Sequence, residues 1–81
     1  MYKGKYFDEL SEIAYKNHVS LRDALGRSRI RTHVKVRYEI AKHLRYVREL
    51  SYSQIGRIMD RHHSTVMYYC GETSKNVKWV N

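Results

Sequence analysis

The chain has 81 residues, with no Pro, four scattered Gly, one Cys and a formal net charge of +8. This length predicts one domain near the lower limit for folding alone, which leaves little room for a closed catalytic pocket. The lack of turn residues favours helices over a β-rich fold. A single Cys excludes an internal disulfide framework and is typical of a reducing cytoplasm, and no apolar run approaches the about 20 residues that cross a bilayer.

The positive charge is concentrated in one segment. Residues 1–26 sum to zero, whereas residues 27–63 carry ten Lys/Arg, eight of them Arg, against three Asp/Glu. Such a block indicates a polyanionic partner, because Arg is suited to bidentate contacts with phosphates and bases. A solvated surface would explain scattered Lys better than it explains this block. The sequence therefore favours nucleic acid as the partner.

Two helices are predicted before the basic block. Apolar residues at helical spacing predict a first helix over about residues 6–17: Tyr6, Phe7, Leu10, Ile13 and Ala14. The stretch SLRD, Ser20–Asp23, has the form of a capping box, and Gly26 follows it as a stop signal. A short second helix is expected there. The connector GRSRIRTH that follows is basic and has no apolar period.

Three further helices are predicted after the connector. The third runs from about Lys35 to Glu49, and its apolar stripe is formed by Val36, Ile40, Ala41, Leu44 and Val47. A second capping box, SYSQ at Ser51–Gln54, opens a fourth helix. The stretch HHSTVMYYC then begins with polar residues and turns apolar, which predicts a fifth helix over about residues 62–70.

The last two helices are expected to form a helix-turn-helix, because they are short and are joined by a tight turn. Gly56 lies where a small residue lets the second helix approach, and Val66 and Tyr69 are placed to pack back. Asp60 occupies the turn position where Gly is commonest. It is expected either to adopt left-handed geometry or to cap the next helix. The predicted fold is thus a small all-α, five-helix domain over about residues 6–73, with residues 74–81 as a tail.

From about Leu10 to Ser74 the sequence resembles the C-terminal DNA-binding domain of the bacterial replication initiator DnaA. Three blocks occur in the same order: the basic loop GRSRIR, the helix VRYEIAKHLRYV and the stretch SYSQIGRIMDRHHSTVMYYC. In the third block the family has a motif close to S-L-x-x-I-G-x-x-F-G-G-R-D-H-T-T-V. The matching positions here are Ile55, Gly56, Arg61, His63, Thr65 and Val66, with Ser64 replacing a family Thr. The resemblance implies a Trp-repressor-like, all-α fold.

The resemblance also implies that the chain binds double-stranded DNA, with no cofactor, metal or catalysis. The helix over residues 62–70 would enter the major groove. His62, His63 and Ser64 match the positions that read base edges there. Thr65 and Arg61 would lie nearby at the DNA backbone.

In the family an arginine of the basic loop enters the adjacent minor groove. Within the loop over residues 27–31, Arg29 is the best match, and Arg27 and Arg31 flank it. Arg is attracted to the negative potential of a narrow, A·T-rich minor groove. Arg37, early in the long helix, matches a phosphate-contacting position, and Lys35 is expected to add sequence-independent affinity.

Departures from the family pattern limit what it implies. His62 stands where the family has Asp, so an acceptor suited to the cytosine amino group becomes a ring that can donate. The turn looks one residue shorter than the G-G form. Nothing here resembles a Walker motif, so the chain resembles only the DNA-binding domain of the initiator. We expect a small stand-alone, phage-type regulator of transcription or replication that is cytoplasmic and associated with the nucleoid. No heptad seam is visible, and monomer and dimer both stay open.

The paired histidines allow other interpretations. A zinc site could join His62, His63, Cys70 and His18, but adjacent helical histidines should point about 100° apart, and no CxxC or HxxxH pair exists. Arg57 and His62 form an R-x4-H spacing that resembles small helical ribonucleases of the HEPN class, without paired carboxylates beside it. RNA binding stays open, because a basic loop with interleaved aromatic residues also suits single strands. The two histidines could equally be residues at a helix end that have no binding or catalytic role.

Overall fold

A computed structural model describes residues 2–71 of the chain. Within that range every regular element is helical and there are five α-helices, as predicted. They are α1 (Phe7–Lys16), α2 (Leu21–Ala24), α3 (Arg31–Lys42), α4 (Tyr52–Met59) and α5 (His63–Tyr69), and a π-helical turn over His43–Val47 continues α3. None of these helices has both the length and the apolar composition to cross a membrane. The predicted tail, residues 74–81, lies outside the described residues.

Side-chain caps fix the starts of α2 and α4 at the predicted residues. The Ser20 hydroxyl accepts a hydrogen bond from the Asp23 N–H at 3.0 Å. At α4 the capping box is complete, because Ser51 accepts from the Gln54 N–H at 3.1 Å and Gln54 accepts from the Ser51 N–H at 2.9 Å. These bonds satisfy donors that the first turn of a helix leaves unpaired, and such a cap is worth about 1 kcal/mol.

The third helix departs from its predicted bounds at both ends. It begins at Arg31, with Ile30 as the N-cap residue, rather than near Lys35. Its first turn is polar and largely exposed, so the apolar periodicity that predicted the helix is absent there. At the other end the π-helical turn contains one extra residue, which rotates Val47 out of the apolar stripe and leaves it exposed. The expected core position of Val47 is therefore wrong.

The core is built from all five helices. Its fully buried side chains are Leu10, Ala14, Ala24, Val36, Ile40, Ala41, Leu44, Ile55 and Val66. α3 is the central element, because it packs against α1, α2 and α5. Truncating a Leu or Ile in such a core costs about 2–5 kcal/mol. This packing fixes the position of α5 relative to the loop that precedes α3.

An ionic cluster also holds α1 against the π-helical turn. Glu9 Oε1 lies 2.6 Å from His43 Nε2 and 3.0 Å from Arg48 Nε, and Glu9 Oε2 pairs with Arg48 Nη2. The hydrogen bond from Arg48, followed by that from His43, holds the pKa of Glu9 below its usual value of 4.5. The carboxylate in turn raises the pKa of Arg48. We call these three side chains the Glu9 clamp.

α4 and α5 form the predicted helix-turn-helix. A Cβ added at Gly56 would lie 2.5 Å from the Arg61 carbonyl oxygen, so the turn approaches α4 too closely for a side chain there. Asp60 ends α4 in the left-handed conformation, with φ 59° and ψ 49°, which is the first of its two expected roles. Val66 and Tyr69 of α5 are buried against the core, as expected.

Candidate functional site

The first turn of α5 presents polar side chains to solvent. His62, His63 and Ser64 are all exposed. His62 is the N-cap residue, and its ring Nδ1 accepts a hydrogen bond from the Ser64 N–H at 3.1 Å. Because Nδ1 is an acceptor, a neutral His62 ring carries its proton on Nε2 and can donate outward from the helix.

The two histidine rings stack on each other instead of diverging. Their centroids lie 4.3 Å apart, and the ring planes differ by 32°. The expected divergence of about 100° applies to two residues inside a helix. His62 precedes the helix with an extended backbone, φ −66° and ψ 148°, so that expectation is wrong for this pair. The two tilted rings lie together at the exposed tip of α5.

Two arginines hold the basic loop through its backbone carbonyls. Arg37 Nε donates to the Ala24 carbonyl at 2.7 Å, and Arg37 Nη2 donates to the Ser28 carbonyl. Arg61 Nη2 donates to the Gly26 carbonyl at 2.6 Å. The three accepting carbonyls thus belong to every second residue, at positions 24, 26 and 28, from the end of α2 into the basic loop. The backbone of this basic loop is fixed by cations from α3 and from the helix-turn-helix.

The expected phosphate contact of Arg37 does not fit its position. Its side chain is buried, with 6% of the residue surface exposed, and its guanidinium points to the loop carbonyls. Nε and Nη2 are thus engaged by the backbone, and little of the side chain faces solvent. Arg37 is therefore corrected from a phosphate-contacting residue to one that positions the loop.

Arg61 connects the reading helix to the basic loop. Besides its bond to Gly26, its Nη1 donates to the carbonyls of Met59 at 3.3 Å and Asp60 at 3.2 Å. The guanidinium thus spans the end of α4 and the loop before α3. These bonds connect the turn before α5 to the basic loop, in addition to the core packing.

An open groove connects these parts, and we call it the α5 groove. It is lined by Arg27, Ser53, Gly56, Arg57, Asp60, Arg61, His62, His63 and Thr65. Arg27 Nη2 lies 3.5 Å from the Asp60 carboxylate, and both side chains are largely exposed. Exposed pairs of this kind contribute little to stability, about 0–1 kcal/mol, so Arg27 is readily available to another anion.

The other loop arginines lie along a different groove. Arg29, Arg31 and Lys35 line it together with Val34, Tyr38, Glu39 and Lys42, and we call it the α3 groove. The two grooves share no lining residue. The residues predicted to bind DNA are thus divided, with Arg27, Arg61, His62, His63 and Thr65 on one groove and Arg29, Arg31 and Lys35 on the other. Ser64 is exposed but lines neither groove.

Two exposed residues of α4 that line the α5 groove were not assigned to DNA from the sequence. Ser53 and Arg57 lie one helical turn apart on α4, and both are exposed. Their spacing of four residues on the polar face of the first helix of the motif was the available signal. From the sequence, Arg57 was assigned a role only in the R-x4-H spacing of the ribonuclease interpretation.

Residues 2–71 also bear on metal binding, on the reactivity of Cys70 and on the ribonuclease interpretation. Residues 2–71 contain no group of three or more His, Cys, Asp or Glu side chains that could hold a metal ion. Cys70 is buried, and burial raises the pKa of its thiol. Arg57 and His62, the pair in the ribonuclease pattern, do line the same groove. The only carboxylate that lines this groove, among the residues described, is Asp60.

No family model, curated protein or solved structure matches this chain. Its function is therefore inferred from the two grooves, from their charge and from the residues that resemble the DnaA domain.

Proposed function

We propose that the protein is a sequence-specific, double-stranded DNA-binding module, similar to the C-terminal domain of DnaA. In this proposal the first turn of α5 enters the major groove, and the basic loop lies along the adjacent backbone and minor groove. The observation that carries it is the Arg61 guanidinium, which joins the Gly26 carbonyl of the basic loop to the turn before α5 at 2.6 Å. To contact the major and the minor groove of DNA at the same time, a protein needs its base-reading helix and its cationic loop at a fixed spacing.

The chemistry of the first turn supports direct base reading. Ser64 and the stacked rings of His62 and His63 are exposed and project from the tip of the motif. The His62 Nε2–H suits an acceptor in the major groove, such as guanine O6 or N7 or thymine O4. An Asp at this position would instead accept from cytosine N4. The preferred base pair at this position is therefore expected to differ from that of the family.

Cations around this turn supply sequence-independent affinity. Arg27, from the basic loop, and Arg57, from α4, are both exposed on the α5 groove. Each phosphate that a cation neutralises adds about one unit to the slope of log affinity against log salt. Arg29 and Arg31, on the neighbouring face of the loop, are candidates for the minor groove. Occupancy of a DNA site would then control transcription or replication by recruitment or competition.

Selection of bound duplexes from a random double-stranded library, at a fixed salt concentration of about 0.15 M, tests this proposal. The proposal predicts enrichment of one short motif beside an A·T-rich step, and a palindrome would indicate a dimer. Binding without any enriched motif would contradict sequence-specific reading.

A ribonuclease is the second candidate, because Arg57, His62 and His63 line one groove. Incubation with labelled single-stranded RNA tests it. Cleavage that is lost in both Arg57→Ala and His62→Ala would favour the ribonuclease, whereas intact RNA would remove it. Binding of intact RNA in preference to duplex DNA would favour an RNA-binding protein instead.

A further inference from the structure

The α3 groove is a second basic surface, and the DNA-reading proposal uses only its first two residues, Arg29 and Arg31. It follows one face of α3, where Arg31, Lys35, Tyr38 and Lys42 recur at helical spacing. From Arg31 to Lys42 this face extends for about 16 Å at the rise of an α-helix. It shares no lining residue with the α5 groove. A ligand in one groove therefore leaves the lining of the other accessible.

The charge of the α3 groove is available to a polyanion. Its four cationic side chains, Arg29, Arg31, Lys35 and Lys42, are exposed, and within residues 2–71 none of them forms an ion pair. The one carboxylate that lines the groove belongs to Glu39. Its Oε1 accepts a hydrogen bond from Asn17 Nδ2 at 3.1 Å, which holds it toward α1. The surface is therefore complementary to a chain of phosphates.

An aromatic ring forms part of the groove wall between these cations. The half-buried Tyr38 packs against Tyr69 with ring centroids 5.1 Å apart and meets Tyr68 edge-on at 6.1 Å. Burial and the hydrogen bond with Tyr68 raise the pKa of Tyr38 to about 12, so its ring stays uncharged over the physiological range. A fixed, neutral ring flanked by cations is the combination that single-strand-binding proteins use as a stacking platform.

We propose that the α3 groove binds a single nucleic-acid strand along α3, with a base on Tyr38 and phosphates on Lys35 and Lys42. A single strand fits better than a duplex because duplex bases are already stacked and present no face to a ring. An acidic peptide would match the charge, but it would leave the aromatic ring without a stacking partner. This site is additional to the α5 groove and does not depend on the proposed duplex binding. With both sites occupied, the protein would hold a duplex and an unpaired strand together.

Charge reversal at Lys42 tests the cationic part of the site. The probe is a fluorescently labelled oligothymidylate of about 12 nucleotides, with an oligouridylate of equal length to distinguish DNA from RNA. Lys42→Glu should weaken binding of the preferred probe about fivefold or more, because a phosphate contact becomes a repulsion. Lys16→Glu is the matched control, since Lys16 is also an exposed Lys in the last turn of its helix and lines neither groove. It should change the affinity by less than about twofold.

Two substitutions at Tyr38 test the stacking platform. Tyr38→Phe keeps the ring and should retain binding of the preferred probe within about twofold, whereas Tyr38→Leu removes the ring and should lose about tenfold. Circular dichroism checks that both variants are folded. If Tyr38→Leu fails to fold, the comparison of Lys42→Glu with Lys16→Glu still decides the proposal.

Duplex binding is measured in parallel to separate this inference from the proposed function. Lys42→Glu should leave the affinity for a selected duplex within about twofold, and a saturating duplex should not displace the oligothymidylate. Equal loss of duplex and single-strand binding in Lys42→Glu would overturn the inference, as would competition by oligoglutamate as strong as that by oligothymidylate. Failure of the proposed function would look different, because duplex selection would enrich nothing while single-strand binding persisted.

Discussion

His62 caps α5 through one of its two ring nitrogens. Nδ1 accepts from the Ser64 N–H at 3.1 Å, and in the proposed function the Nε2–H donates to a base. The residue that starts the helix would thus also be a base-reading residue. Stability and specificity can be separated here, because Asp is a good N-cap residue but presents only acceptors when it is ionised.

We predict that His62→Asp keeps the free energy of unfolding within about 0.5 kcal/mol but changes the selected DNA motif at one base pair, toward contact with the cytosine amino group. Chemical denaturation and duplex selection measure the two effects. His62→Ala, as the control, removes the cap and should lose about 1 kcal/mol of stability. Identical motifs for wild type and His62→Asp would show that this residue does not read bases.

Arg37 is expected to matter for stability and not for the salt dependence of DNA binding. Arg37→Ala removes the donors to the Ala24 and Ser28 carbonyls and should lower the free energy of unfolding by about 1–3 kcal/mol. Because Arg37 is buried, the slope of log affinity against log salt should stay unchanged in the folded variant. Arg57→Ala gives the opposite pattern, with unchanged stability and a slope reduced by about one unit. A reduced slope for Arg37→Ala with unchanged stability would show that Arg37 does contact a phosphate.

At the scale of elements, the contact between α4 and the following turn determines how α5 is presented. Gly56→Ala would place a methyl group 2.5 Å from the Arg61 carbonyl oxygen, so the backbone must shift. We predict a loss of about 1–3 kcal/mol in the free energy of unfolding, as for other overpacked sites. DNA affinity should also fall at temperatures where the variant remains folded. Gly26→Ala is a milder control, since its Cβ would lie 3.4 Å from the nearest atom. Equal effects of both substitutions would contradict this account of the turn.

Local sequence signals predicted the elements that begin with a cap. The boxes at Ser20 and Ser51 placed α2 and α4, because capping is a short-range interaction between a side chain and a nearby N–H. The start of α3 was missed because its first turn contacts solvent and carries no apolar pattern. The π-helical turn was missed because a single extra residue in a helix has no local signal, and Val47 was therefore misplaced.

At the scale of the whole molecule, the Glu9 clamp is expected to make stability depend on pH. The pKa of Glu9 is lowered in the folded protein, so its contribution is fully present above the usual value of 4.5 and is lost as pH falls through the lowered value. Glu9→Gln should therefore be less stable than wild type at about pH 7, and the difference should disappear in strong acid. Urea unfolding at several pH values measures it. Glu12 is on the same helix but outside the clamp, so Glu12→Gln serves as the control, and equal behaviour of the two variants would contradict the clamp.

The arrangement of the basic residues could be predicted from the sequence only in part. The block of residues 27–63 indicated a polyanion, and the resemblance selected the loop and the first turn of α5. Which cations face outward depends on long-range packing: Arg37 turns inward to carbonyls 9 and 13 residues away, and Arg61 reaches one that is 35 residues away. No local pattern reports such contacts. The division of the basic residues between two grooves was therefore not visible in the sequence.

The surface that contacts a selected duplex can be located by following backbone amide shifts in the ¹⁵N-labelled protein during titration. If α5 reads DNA, the largest shifts will occur at Arg61–Val66 and in the loop over residues 26–31, with only small shifts in α1. Shifts concentrated on residues 34–42 of α3, or on α1 and the Glu9 clamp, would contradict the assignment of α5 as the helix that reads DNA.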